Sequence, residues 1–569
     1  MSLLVDLFGY LSIVVHGLTI VAQSMMLGGA LFLIVLARPL RAIAAGPAIA
    51  RDTARIAAWA ALGLIGCEAA TLALQSAVLT QTVGLSLGKV LGANFAISSL
   101  TKIGAAVVIG GLLLARRDRA PAGPLLLAGL AELAAATMTT HAAARLDGRA
   151  LLLLVEGLHQ LGAAIWIGGI PSFVSALARI QDVAGWRAVG SRFSRMSMVG
   201  VACILVSGVT MATAYVGSWA AFYGTAYGVM VGAKVAMFAG LLLLGLGNLV
   251  VVERLRRDPA TSVLCLRRFA EVEIGVGFTL FFAAASLTSV PPSVDLAHDR
   301  VTWPEVVERN RPSWPRLASP GLDSLALPAL QAKLDAEAAA HAAAPAPAFV
   351  PGSGEMPGRN AEDIAWSEYN HHYAGIFVLL IGALALLNQA GQRWARHWPL
   401  VFLGLAVFLF LRADPEVWPL GHEGFFASLR DVEVLQHRFF VVLIVVFALF
   451  EWRVRAGGWT SRRAALVFPL ITAIGGAALL THTHAIANVR DQLLIELTHT
   501  PLALAAIAAG WARWLEVRLA PGHGGVLNGG GGPDGGRGLD GGRGARIAGW
   551  MWPPLFMLIG VMLLLYREA

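Results

Sequence analysis

Apolar runs of bilayer-spanning length, separated by short arginine clusters, recur along most of the chain. A helix needs ~20 apolar residues to cross the hydrocarbon core of a membrane. Such runs lie near 8–36, 56–79, 95–115, 123–141, 150–172, 196–217, 229–251 and 270–290. After a long polar insert they resume near 372–389, 398–412, 434–452, 464–481, 492–514 and 549–566. The pattern predicts an all-α fold, a polytopic membrane bundle of about fourteen transmembrane helices. The first run, Leu7 to Ala37, exceeds the length of a signal-peptide core and is expected to be a retained span.

Basic residues orient the bundle, because short cytoplasmic loops carry the Lys/Arg excess. The odd-to-even connections hold Arg38, Arg41, Arg51 and Arg55, then Arg116, Arg117 and Arg119, then Arg179, Arg187, Arg192 and Arg195. Further on they hold Arg254, Arg256, Arg257, Arg267 and Arg268, then Arg393 and Arg396, then Arg453, Arg455, Arg462 and Arg463. The intervening connections are nearly bare, as from Val216 to Tyr227. Both termini are therefore expected on the outside, the periplasm of a bacterium.

These signals divide the chain into a membrane domain of about eight helices at 1–290, a periplasmic Pro/Ala-rich insert at 291–367 and a second membrane domain of about five helices at 368–516. A Gly-rich cytoplasmic linker at 517–548 and a terminal transmembrane helix at 549–569 complete it, the last expected as an appended anchor. Composition agrees: 57% hydrophobic, 14% charged, mean hydropathy +0.68. That is far below the ~25% charged residues of soluble proteins. The net charge of +8 sits in loop clusters, which speaks for topology and against nucleic-acid binding. Cys67, Cys203 and Cys265 show no paired spacing, so no disulfide framework is expected. No P-loop, dinucleotide fingerprint or Cys-x-x-Cys-His is present, so no soluble catalytic pattern stands out.

Ionisable groups inside such runs are costly and point to function. Two helices carry Glu-x-x-His: Glu156 with His159, and Glu496 with His499. A spacing of three puts both side chains on one helix face. The glutamates are candidates for charge compensation or proton linkage. Histidines concentrate toward the outer face: His16 about 12 Å into the first span at 1.5 Å per residue, His141 closing the fourth, and His371 and His372 opening the ninth. His437 enters the eleventh, and His482 and His484 close the twelfth. Together with His159 and His499 they form a candidate metal set, with imidazole suited to copper. As a rival to copper, paired histidines such as His16, His159, His437 and His499 lie at depths where they could be axial ligands of b-type haem. The two halves look like a parallel repeat offset by eight helices. Among the other buried charges, Glu132 with Lys102 is expected to form a structural salt bridge.

The sequence resembles the copper-resistance protein D (CopD) family. The resemblance rests on HQLGAAIWIGG (159–169), RFSRM (192–196), GTAYGVMVGAK (224–234) and Ser289 to Pro292, and covers about 150–292. It implies copper transport, homeostasis or resistance at the bacterial inner membrane, with a separate periplasmic copper carrier as partner. An electron-transfer haem protein and a copper-delivery assembly factor are the alternatives.

Overall fold

The computed structural model describes residues 2–258, 261–296, 300–320, 332, 336, 361–414, 417–421, 423–430, 432–459, 461–481, 489–520 and 539–568. It is helical throughout, as the apolar periodicity predicts, and divides into two compact units, Met1–Arg300 and Val301–Ala569. Eleven helices among the described residues are long and apolar enough to cross a membrane, and Ala122–Thr137 and Ala464–Leu479 are shorter apolar helices. The chain is a multi-pass membrane protein.

The first unit contains α1 (Ser2–Phe32), α2 (Gly46–Thr82), α3 (Asn94–Arg116), α4 (Ala122–Thr137), α5 (Arg149–Ala163), α6 (Ile170–Arg179), α7 (Val183–Tyr215), α8 (Ala226–Arg257) and α9 (Leu264–Leu287). One wide π-helical turn, Ala164–Gly168, joins α5 to α6, and another, Leu33–Ala37, extends α1. Helix α1 packs on α2, on α9 and on the 164–168 turn. Glycines permit that approach. A Cβ on Gly168 would strike the Ser24 carbonyl, and one on Gly28 would strike the Ala164 carbonyl. Where α5 crosses α7, a Cβ on Gly162 would lie 2.8 Å from the Gly200 carbonyl oxygen, and the reverse holds. Without a hydrophobic force between helices in lipid, small residues at crossings supply the packing.

Lys102 on α3 pairs with Glu68 on α2. The expected Glu132–Lys102 bridge is thus corrected: Glu68 on the adjoining helix takes the ammonium.

The second unit contains α10 (Ala361–Gln389), α11 (Val401–Arg412), α12 (Val432–Arg455), α13 (Val467–Leu479), α14 (Val489–Leu519) and α15 (Leu539–Leu564). Helix α15 is no appended anchor. It packs along α10 and α14, with a Cβ on Gly375 2.6 Å from the Leu564 nitrogen and one on Gly382 2.7 Å from that of Met557. Its Trp552 joins Trp398, Phe468, Phe556 and Ile381 in the core and donates to Glu516 (2.8 Å). Glu516 also accepts from Gln389 (2.6 Å) and pairs with buried Arg513 (2.5 Å), while Arg455 pairs with Glu451 (2.7 Å). Removing one partner of such a pair would leave an uncompensated buried charge.

In the expected insert, Trp303–Arg309 is a short helix capped by Thr302 and Glu305. His482, His484, most of 321–360 and the Gly-rich 521–538 lie outside the described residues.

Candidate metal centre

His159 is held by α7. Its Nδ1 lies 3.0 Å from Ser207 Oγ, and Ser207 Oγ lies 2.6 Å from the Cys203 carbonyl one turn earlier. The hydroxyl has one hydrogen. Given to the carbonyl, it leaves Oγ as an acceptor, so Nδ1–H donates to it and the lone pair stays on Nε2. Gly208 lies against the ring, where a Cβ would stand in ordinary contact 3.8 Å from Cε1.

Glu156 does not bond His159. Gln160 Nε2 donates to Glu156 Oε1 (3.0 Å), and Gln23 Nε2 on α1 donates to Gln160 Oε1 (3.0 Å). Lys234 on α8 interacts electrostatically with Glu156, and so do Tyr215 and Tyr227. Glu496 follows the same rule in the second unit, accepting from Thr500 Oγ1 at 3.0 Å. In both helices the carboxylate takes its donor from the residue four ahead, the side-chain neighbour on a helix face.

In the second unit His371 on α10 and His499 on α14 meet. Their ring centroids are 5.9 Å apart at 89°, and Tyr566 stacks on His371 at 4.0 Å. His371 Nδ1 lies 2.7 Å from the Ser367 carbonyl, and His499 Nδ1 lies 3.0 Å from that of Ile495. A carbonyl accepts only, so both rings carry the proton on Nδ1 and the lone pair on Nε2. Two imidazoles side by side, each with Nδ1 bonded to a carbonyl, are a donor set that suits copper.

The remaining candidates are placed otherwise. His372 is used up by the fold: Arg316 N–H donates to its Nδ1 (2.7 Å), and its Nε2–H donates to the Tyr566 carbonyl (2.8 Å). Its expectation as a ligand is corrected on that ground. His437 Nδ1 pairs with Asp414 at 2.7 Å. The charged neighbour of His16 is Lys102, a cation. Among the described residues no group of three or more His, Cys, Asp and Glu side chains is arranged to hold a metal ion. Within the first unit the candidate is His159, and within the second it is His371 with His499. Sequence reasoning missed Ser207 and Tyr566, which carry no signal of their own, and Gln160, whose amide inside an apolar run was one.

Helix α4 ends at Thr137, so His141 stands in the connection that follows, on a short helix, His141–Ala144. Its ring lies 6.2 Å from Tyr215 and 6.0 Å from Tyr227, with Nε2 3.4 Å from the Leu287 carbonyl. Arg145 beside it holds Asp295 in a two-pronged pair at 2.9 Å. Burial pushes the His141 imidazole below its ordinary value; the Leu287 carbonyl opposes, Arg145 adds to the fall and Asp295 opposes. Above about pH 6.5 the ring is neutral folded or unfolded and has no linked effect. As pH falls through that value the unfolded chain takes the proton first, so stability is lost on acidification. Thermal unfolding midpoints measured between about pH 5 and 7.5 should therefore fall more steeply for wild type than for His141→Asn.

Comparison with known proteins supports the resemblance. Residues 187–287, from α7 through α9, match the family model described as Copper resistance protein D. RFSRM and GTAYGVMVGAK lie inside that match, whereas HQLGAAIWIGG precedes it. The chain is also 29% identical over 163 residues to Copper transport protein CutJ of Bacillus subtilis (strain 168), which covers 28% of this chain and 29% of that protein. No solved structure matches. The chain thus carries a copper-resistance-protein-D (CopD) region from Arg187 to Leu287.

Proposed function

We propose that this protein moves copper across the bacterial cytoplasmic membrane, taking it from the periplasmic side. The observation that carries this reading is a set of imidazoles within membrane helices, each with Nδ1 pinned and its lone pair on Nε2: His159, and His371 with His499. Bonds of this kind to the other ring nitrogen fix the tautomer of metal-binding histidines. The match to Copper resistance protein D supports copper as the metal, and the name of the Bacillus subtilis relative supports transport. His16 is left out of the copper site, because its charged neighbour Lys102 belongs to the separate buried group with Glu68 and Glu132. His141, Glu156, Glu496 and His437 shape the surroundings, and His482 and His484 extend the same outer face in sequence. A separate periplasmic carrier is the expected donor.

Metal analysis of purified protein, with copper flux in proteoliposomes, tests the proposal. Wild type should bind copper, His159→Ala and His499→Ala should each lose the copper of its own unit, and His397→Ala should lose none. His397 is committed elsewhere, accepting from Trp452 Nε1 at 2.9 Å. Equal copper in all four proteins would end the proposal. Binding without flux would favour the assembly-factor reading, and a pyridine haemochrome spectrum with bound iron would favour the haem reading.

The arginine pattern supports an orientation with both termini outside. In a background with Cys67, Cys203 and Cys265 replaced, Ser218→Cys should react with a membrane-impermeant thiol reagent in cells with a permeable outer membrane. Arg119→Cys should stay protected until the inner membrane is opened. Both positions are exposed in the structure. The reverse labelling would invert the topology.

A further inference from the structure

Away from the imidazoles, the first unit buries a second polar group that the copper reading does not use. Glu68 on α2, Lys102 on α3 and Glu132 on α4 are 1%, 5% and 0% exposed. Lys102 and Glu68 form an ion pair. Glu132 faces both of them, yet neither of its oxygens has a hydrogen-bond partner, and Glu68 Oε2 has none either. His16 approaches the cluster from α1, and Cys67 sits beside Glu68 on α2. From α5 the neighbouring contact is Gly157 against Thr137, while Glu156 is bonded to Gln160.

Charge counting decides what such a group holds. Two carboxylates share one ammonium, and a carboxylate left uncompensated in a low-dielectric interior is costly. Two interacting carboxyls that cannot both ionise keep a proton between them. We infer that Glu68, Lys102 and Glu132 form a proton-binding site, in which the carboxyl of Glu132 takes up and releases the proton beside a standing Glu68–Lys102 pair. The balance is simple: a proton adds to one Glu132 oxygen, the O–H bond forms, and the cluster passes from one net negative charge to neutral. Intramembrane carboxyls of this kind are the usual elements of proton relays, and this one is built from helices outside the segment that matches the family model.

Infrared absorption of the full-length protein in lipid nanodiscs tests the inference without copper. At neutral pH, Glu132→Gln should remove one protonated-carboxyl C=O band and leave the carboxylate bands unchanged. In D2O that wild-type band should shift to lower frequency, because the proton exchanges. Lys102→Met should add a second acid band, since Glu68 then loses its cation. Should Glu132→Gln fail to fold, Glu132→Asp should keep the acid band at a displaced frequency. Loss of a carboxylate band in Glu132→Gln, with the acid region unchanged, would overturn the site; so would an acid band that never shifts in D2O. None of these readings depends on whether copper is bound or carried.

Discussion

Valine at Gly168 is expected to abolish recoverable folded protein, while valine at Gly66 is expected to leave it close to wild type. Both glycines lie in apolar helices, so hydropathy does not separate them. Their surroundings do. A Cβ on Gly168 would fall on the Ser24 carbonyl and close to the Met25 nitrogen, all backbone of α1. A Cβ on Gly66 would meet nothing within 4 Å. Overpacking usually costs about 1–3 kcal/mol, because a side chain can turn aside. Backbone cannot, and α1 is held against the turn from both directions, with Gly28 on the Ala164 carbonyl. The expected loss at Gly168 is therefore above about 4 kcal/mol, in the range that marks a specific packing failure. Membrane-fraction yield and thermal unfolding of the two variants in detergent measure it. A Gly168→Val protein with a wild-type midpoint would show that α1 and the 164–168 turn do not make this crossing. The same contact gives Trp166-x-Gly168-Gly169 a packing role: it lets the turn after the His159 helix lie against α1, with Trp166 buried edge-on to Phe238 at 5.9 Å.

The helices were legible because one constraint writes them. Backbone in hydrocarbon must satisfy itself, so every span leaves an apolar run of set length. Partner choice obeys no such local rule. The placement of α15 turns on Gly375, Gly382 and Gly560, which let two backbones touch, and shape complementarity between distant segments leaves no periodicity to read. The choice of Glu68 over Glu132 by Lys102 is of the same kind.

At the candidate site the limit is angular. His371 and His372 are neighbours in sequence, but successive residues on a helix point about 100° apart. One turns toward His499 and Tyr566, and the other is locked between Arg316 and the Tyr566 carbonyl. Composition and spacing could nominate both and could not separate them. The repeated Glu-x-x-His was legible as a pattern, but its glutamates bond Gln160 and Thr500, so the motif extends one residue past the histidine.

Ser207→Ala should weaken copper binding by about ten- to a hundredfold, although Ser207 would not touch the metal. The argument is one of proton placement. With the Ser207 hydroxyl hydrogen on the Cys203 carbonyl at 2.6 Å, its oxygen can only accept from His159, and that fixes the ring proton on Nδ1. Alanine removes the acceptor. The ring is then left with its bond to the Ile204 backbone and is held less firmly. A tenfold loss corresponds to about 1.4 kcal/mol, the size of one hydrogen bond in such a setting. Ser207→Thr keeps a hydroxyl at the same position and should recover most of the affinity, whereas His159→Ala should lose the site. A competition titration against a chromophoric copper chelator ranks the four proteins. The order wild type, threonine, alanine, then His159→Ala is the signature of a positioning residue. If Ser207→Ala binds like wild type while His159→Ala does not, the imidazole is oriented by something other than α7. If neither changes, His159 is packing, and copper must be sought at His371 and His499.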